Sequence, residues 1–137
     1  MPIRRLGADP AEHQNAENTD VGASTVASTA YYDTFANGAT ILSQTITTTK
    51  RCCIIVVTTC LMAYSIKKTD IRRGGVNKTV ETTISANNFA ATGLRGHLQY
   101  ATEVLDAGIY QYDLVNTSGA AINIYGSTMK IVAVSAS

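Results

Sequence analysis

Charged residues are scarce in this sequence. Asp, Glu, Lys and Arg make up only 15% of its 137 residues, against about a quarter in an average soluble protein. The basic and acidic residues nearly cancel to a formal net charge of +1, so no overall field would attract nucleic acid or an anionic membrane. We therefore expect no nucleic-acid partner. A surface with so few charges also suggests that another molecule covers part of it.

Neither a membrane-spanning helix nor a signal peptide is visible in the sequence given. The segment MPIRRLGADPAEHQ has a charged start but no apolar segment after it. The longest apolar run, Cys52–Ala63, is about a dozen residues long, well short of the roughly 20 that a spanning helix needs. We expect no membrane insertion and no cleaved leader. We expect any role outside a cell to be reached without a cleaved leader, for example inside a particle.

Residues for catalysis or metal binding are few. The two histidines, His13 and His97, stand far apart, and no paired carboxylates or G-x-S-x-G, P-loop or H-E-x-x-H motifs are present. The cysteines Cys52, Cys53 and Cys60 fall in one predicted strand. Its rise of about 3.3 Å per residue keeps Cys52 and Cys60 too far apart to bridge. We expect no catalytic site, metal or cofactor. We interpret the cysteines as buried thiols, with a disulfide between subunits as the alternative.

The residues that are abundant favour β-strands. Threonine, valine, isoleucine and tyrosine are frequent, and no proline follows Pro10. Residues 1–23 are polar and lack periodicity, which predicts a flexible N-terminal arm. From residue 24 to residue 137, about eight short strand-like segments are separated by turn signals such as ANGA, RRGG and TSGA. This pattern predicts one all-β domain, a sandwich or a barrel.

The segment Cys52–Tyr64 is apolar on both faces of its predicted strand. A strand with one solvated face alternates between apolar and polar residues, whereas a strand that is apolar on both faces is buried on both. The terminal segment MKIVAV repeats the pattern, and no helix is predicted to cover a second sheet face. We expect the core on one side and another subunit on the other, without assigning which is which; a very buried strand in a monomer is the alternative. The predicted interface residues are Ile54, Val56, Val57, Met62, Ile131 and Val132.

Two groups of residues are candidates for contact with a ligand or partner. A cluster of cations between positions 67 and 78 is typical of contact with nucleic acid, a polyanionic glycan or an acidic capsid surface. The alternative, which we favour, is a solvated hairpin whose charges protect a sheet edge. Two tyrosines in IYQYDL share a strand face, where they would line an interface or a sugar-binding patch, or pack in the core with satisfied hydroxyls. The candidate contact residues are Lys67, Lys68, Arg72, Arg73, Lys78, Tyr110 and Tyr112.

Two blocks of the sequence carry a resemblance to a known architecture. One is the Ile-Arg-Arg-Gly-Gly turn at Ile71–Gly75. The other is the Ala-Gly-x-Tyr-x-Tyr strand at Ala107–Tyr112, followed by a Ser-Gly hairpin and an apolar terminal strand. In this order they resemble the trimeric jelly-roll domains of phage and virus surface proteins, which are similar in architecture to tumour necrosis factor and complement-type globular heads. The resemblance covers roughly Ser24 to Val134.

The resemblance implies an antiparallel jelly-roll β-sandwich that forms a homotrimer about a three-fold axis. The expected function is structural: a decoration, spike or fibre-head subunit on the surface of a virion or similar particle. The N-terminal arm would then be the natural attachment to other virion proteins. The alternative is a carbohydrate- or receptor-binding module of the same fold.

Overall fold

The computed structural model describes residues 21–22, 25–62, 68–84 and 95–135. Apart from Val21 and Gly22, the predicted flexible arm lies outside these ranges. Those two residues belong to the fold, because Val21 is fully buried in the core and Gly22 bridges to Thr48. The strands of the described ranges are β1 (Thr25–Phe35), β2 (Thr40–Thr48), β3 (Cys52–Met62), β4 (Thr69–Arg73), β5 (Val76–Asn77), β6 (Glu81–Ile84), β7 (Arg95–Leu105), β8 (Gly108–Asn116) and β9 (Ile122–Ser135).

The strands form two antiparallel sheets that enclose one core. The first has five strands in the order β1-β9-β3-β7-β6, and the second has four in the order β2-β8-β4-β5. No helix occurs in the described ranges, and the prediction of an all-β sandwich is confirmed. Both sheets supply large side chains without exposed surface, which include Ile46, Ile54, Ile71, Tyr112, Leu114, Ile124, Met129 and Ile131.

Strand β3 lies in the middle of the five-stranded sheet and alternates as predicted. Every second residue from Cys52 to Met62 is buried, and the residues between them are half-buried or exposed. Strands β7 and β9 pair along the whole length of β3, so each side of the sheet continues across all three strands. Val56, for example, lies opposite Ala101 on β7 and Ile131 on β9, and all three are completely buried.

Asn116, the last residue of β8, joins two turns at one end of the sandwich. Its side chain is completely buried. Its Nδ2 donates to the carbonyls of Phe35, Ala36 and Ala120 at distances of 3.1, 3.0 and 2.9 Å. Its Oδ1 accepts a hydrogen bond from the Ser118 amide at 3.0 Å. One buried amide therefore satisfies backbone groups of both the β1–β2 and the β8–β9 connections.

Replacing Asn116 with Asp should destabilise the protein more than replacing it with Ala. Ala removes the hydrogen bonds, whereas Asp also buries a charge and directs a second oxygen at backbone carbonyls. We expect the free energy of unfolding to fall by about 2 kcal/mol for Asn116→Ala and by about 4 kcal/mol for Asn116→Asp at pH 7. Urea denaturation measures both values. Equal losses in the two variants would contradict the role of Nδ2 as donor.

Candidate functional site

The outer side of the five-stranded sheet, here called the outer apolar face, carries few charges. It is defined by the residues that the strand pairing places on the same side as Ile55 and Val57, opposite the core. Apolar and threonine side chains dominate it, and Lys130 and Glu81 are its only charged residues among those that the structure describes. The face consists of Thr25, Ala27, Thr29, Tyr31, Cys53, Ile55, Val57, Thr59, Leu61, Glu81, Thr83, Leu98, Tyr100, Thr102, Val104, Thr128, Lys130, Val132 and Val134.

The outer side of the four-stranded sheet has the opposite character. Ser43 donates a hydrogen bond to Asp113 at 2.7 Å, and Gln111 donates to the same carboxylate at 3.0 Å. Thr45 and Thr47 are exposed beside them. This arrangement is typical of a solvated sheet face. The two outer faces of the sandwich are therefore chemically different, although the outer side of the four-stranded sheet also carries Ile109, which is 72% exposed.

Strand β7 shows the difference most clearly, because its alternation is reversed. The apolar Leu98 and Val104 point outward and are 49% and 50% exposed, whereas the polar His97 and Gln99 point inward and are each 2% exposed. A strand with one solvated face normally shows the reverse pattern. With β3 and β9 beside it, β7 makes the outer apolar face a continuous surface instead of a set of isolated apolar residues.

A groove of about 550 Å³ opens around Leu61 on this face. Leu61 is paired with Gly96 on β7 and with Gly126 on β9, so neither neighbour places a side chain beside it. Tyr31 and Leu98 also line the groove. The outer apolar face is therefore not flat, and it offers a depression that an apolar side chain could fill.

The predicted interface residues separate into two groups. Val57 and Val132 lie on the outer apolar face and remain available to a second subunit. The others lie on the opposite side of the sheet and have no exposed surface even in the single chain, so they belong to its core and not to a subunit interface. They are Ile54, Val56, Met62 and Ile131.

Glu103 lies at the centre of a polar cluster between the sheets. It points inward from β7, and its carboxylate accepts hydrogen bonds from Arg73 Nε and Nη2 at 2.6 and 3.0 Å. The Tyr112 hydroxyl donates to it at 2.7 Å, and Lys78 Nζ lies 3.2 Å away. Arg73, Lys78, Glu103 and Tyr112 are called the inter-sheet cluster below. One carboxylate thus connects the five-stranded sheet to three side chains of the other sheet and its hairpin.

The inter-sheet cluster fixes the charges of its members. Burial raises the pKa of Glu103, but hydrogen bonds from Arg73, Tyr112 and Lys78 outweigh it and lower the pKa to about 2. The hydrogen bond to Glu103 raises the pKa of Arg73. Burial, together with the same carboxylate, raises the pKa of Tyr112. Near neutral pH Glu103 is therefore a carboxylate, Arg73 a cation and Tyr112 a neutral phenol.

The inter-sheet cluster takes up several of the predicted contact residues. Tyr112 has no exposed surface, so it cannot touch an outside ligand. Its hydroxyl donates a hydrogen bond to Glu103. Tyr112 therefore follows the alternative in which the tyrosines pack in the core with satisfied hydroxyls. Arg73 and Lys78 are held by the same carboxylate, and their side chains are 28% and 27% exposed. These three residues are therefore mainly internal.

The remaining predicted contact residues lie closer to the surface. Tyr110 is half-buried, and its hydroxyl donates to the Asp106 carbonyl at 2.5 Å. Arg72 forms an ion pair of 3.4 Å within its own strand, and Lys68 is exposed. Lys67 lies outside the described residues. The described members of the predicted cationic cluster are thus divided between the Glu103 carboxylate and the surface.

The cysteines are free thiols. Cys52 and Cys60 are buried, as the sequence interpretation expected, and Cys53 is half-buried on the outer apolar face. Burial raises the pKa of Cys60 to about 12 and also raises that of Cys52. His97 is buried with neither ring nitrogen hydrogen-bonded, and burial lowers its pKa. Among the residues that the structure describes, no three His, Cys, Asp or Glu side chains are grouped so as to hold a metal ion.

The sequence predictions do not include Glu103 or the exposed residues of β7. The alternation of LRGHLQYATEVL is visible in the sequence, but its apolar half would ordinarily be assigned to the core. To assign the polar half to the interior, one must know which side chains pair with Glu103. One of them, Arg73, lies 30 positions earlier in the chain. The useful signal is thus a long-range pairing that no local pattern contains.

Comparisons with models of protein families, with curated proteins and with solved structures find no match to this chain. In the part of the chain that the structure describes, no helix has the length and apolarity needed to cross a membrane.

Replacing Glu103 with Gln should lower the stability at neutral pH and flatten its acid dependence. The ordinary pKa of this carboxyl is 4.5, and folding lowers it to about 2. Its contribution is therefore fully present above pH 4.5 and is lost as the pH falls from there towards 2. We expect the wild type to be about 3 kcal/mol more stable than Glu103→Gln at pH 7 and to lose most of that advantage over this interval.

Urea denaturation at a series of pH values tests this expectation. Asp106→Asn is the matched control, because the Arg51–Asp106 ion pair has side chains that are 61% and 82% exposed and should contribute less than about 1 kcal/mol. Parallel pH profiles for the wild type and Glu103→Gln would exclude the inter-sheet cluster as the source of acid sensitivity.

Proposed function

We propose that this protein is a structural subunit that assembles into homotrimers through its outer apolar face. The trimers would serve as decorations, spikes or fibre heads on a virion or a similar particle. The observation that carries this proposal is the reversed alternation of β7, which turns Leu98, Tyr100 and Val104 outward. A surface patch of this kind on a soluble chain marks a site of interaction.

The energetics of the face favour burial against a protein surface. Each apolar side chain removed from water contributes roughly 25 cal/mol per Å² of buried area. The threonines of the face can satisfy one another, as Thr59 and Thr128 do through their hydroxyls. Of the residues that the structure describes on this face, only Lys130 and Glu81 would need charged partners. An interface formed here would therefore carry a small desolvation cost for its size.

The strand order supports a jelly roll as the finer description of the fold. Neighbours in the sheets are distant in sequence, with β2 beside β8, β3 beside β9 and β1 beside β9. Such pairings arise when an antiparallel chain folds back on itself as two Greek keys. The copy number of three rests on the resemblance of the turn at Ile71–Gly75 and the strand at Ala107–Tyr112 to trimeric jelly-roll domains. Attachment of the trimer to other particle proteins is assigned to residues 1–20.

A carbohydrate- or receptor-binding module of the same fold is the second candidate, and it has less support. Its proposed contacts were the cations between positions 67 and 78 and the two tyrosines. Arg73, Lys78 and Tyr112 are engaged with Glu103 instead. Of the predicted contacts that the structure describes, Lys68, Arg72 and the half-buried Tyr110 remain, and they offer a weak basis for recognition of a ligand.

Replacing Val57 with Asp should give a folded monomer. Val57 is half-buried on the outer apolar face, so the new carboxylate stays hydrated in the free chain. In the assembly it would lose that hydration, which its neighbour Lys130 on β9 offsets only in part. Light scattering after size exclusion under reducing conditions should give three times 14.5 kDa for the wild type and 14.5 kDa for the variant. Trimers of Val57→Asp would defeat the proposed interface.

Two further variants serve as controls. Val56→Asp places the same charge in the core, where Val56 has no exposed surface. It should lower the free energy of unfolding by about 4 kcal/mol or more. Thr45→Asp places it on the exposed outer side of the four-stranded sheet and should leave the trimer intact. Circular dichroism distinguishes loss of folding from loss of assembly.

A further inference from the structure

The two charged residues of the outer apolar face lie in the same row across the sheet. Lys130 on β9 is paired with Val57 on β3, Val57 is paired with Tyr100 on β7, and Tyr100 is paired with Glu81 on β6. A single line of side chains therefore has a cation near one end, an anion at the other, and Val57 and Tyr100 between them. Three strand spacings of about 4.8 Å separate the two charges by roughly 14 Å.

Among the residues that the structure describes, neither charge has a partner. Lys130 and Glu81 are both exposed, and the ion pairs among the described residues involve other side chains. On the outer apolar face, Lys130 is flanked along the row by Ala27 and Val57, and Glu81 is next to Tyr100. Both charges are thus isolated among uncharged side chains.

Burial of this face would leave both charges without a counter-ion unless the partner supplies opposite charges. Burying an ion without a counter-ion costs several kcal/mol of binding free energy, which is more than a small apolar contact contributes. The assembly must therefore present an anion opposite Lys130 and a cation opposite Glu81. Copies of the same chain carry both groups at opposite ends of one row, so one neighbour can supply the anion and the other neighbour the cation.

We infer that Lys130 of one copy pairs with Glu81 of the next copy, and that this ion pair sets the register of the subunit interface. The inference rests on the proposed assembly through the outer apolar face. In a ring of three copies, the β9 side of each face meets the β6 side of its neighbour, so every interface contains one such pair. Apolar burial supplies the affinity, and the ion pair selects the alignment in which the apolar rows meet.

Charge reversal tests the inference with three variants. Lys130→Glu and Glu81→Lys each place like charges together at every interface. Each should raise the protein concentration at which half of the assembly dissociates by about a hundredfold or more. The double variant, Lys130→Glu with Glu81→Lys, restores opposite charges at every interface and should assemble within about tenfold of the wild type. Analytical ultracentrifugation over a range of concentrations gives all four values.

Lys68→Glu is the matched control for a change in net charge. Lys68 is exposed and lies outside the outer apolar face, so this variant should assemble as the wild type does. Thermal unfolding of each variant checks that a loss of assembly is not a loss of folding. Because Lys130 and Glu81 are both exposed, we expect all three variants to fold.

The outcomes separate this inference from the proposed function. A wild type that assembles, with a double variant no better than the single ones, would overturn the ion pair and leave the trimer standing. Single variants that assemble as well as the wild type would do the same. A wild type that stays monomeric at every concentration would overturn both. Weakened single variants and a restored double variant would support both.

Discussion

The carboxylate of Glu103 can stay charged between the sheets only while Arg73, Lys78 and Tyr112 donate to it, and this requirement fixes the direction in which β7 faces. Side chains alternate along a strand, so turning Glu103 and its inward neighbours toward the other sheet turns Leu98, Tyr100 and Val104 to the outside. The ionic connection inside the sandwich and the apolar surface outside it are therefore two results of one geometrical constraint.

The sandwich has one polar outer side, and the proposed assembly gives the other side a protein neighbour. In that arrangement the five-stranded sheet would have a core on each of its faces, one within the chain and one between chains. The stability of such a subunit would depend on its concentration, because association adds to the free energy of unfolding. Once formed, the assembly would separate slowly, since dissociation would expose two apolar faces at the same time.

The strands and the alternation of β3 could be predicted because both are local properties of the chain. The side of β3 that faces the core could not, because Ile54 and Val56 on one face are as apolar as Ile55 and Val57 on the other. Burial in the structure decides it. Which side of β7 faces the core could not be predicted either, since it depends on a partner of Glu103 that is distant in sequence. The shared face of Tyr110 and Tyr112 could be predicted, but its position inside the sandwich could not.

The thiols of Cys52 and Cys60 are enclosed in the core of the single chain, and burial holds the pKa of Cys60 at about 12. A thiol reacts with disulfides through its thiolate, which is almost absent at such a pKa. The folded chain would therefore respond little through Cys60 to a change between reducing and oxidising surroundings, and little through Cys52, because that residue has no exposed surface. A particle built from it could form in one redox environment and persist in another without covalent rearrangement of its core.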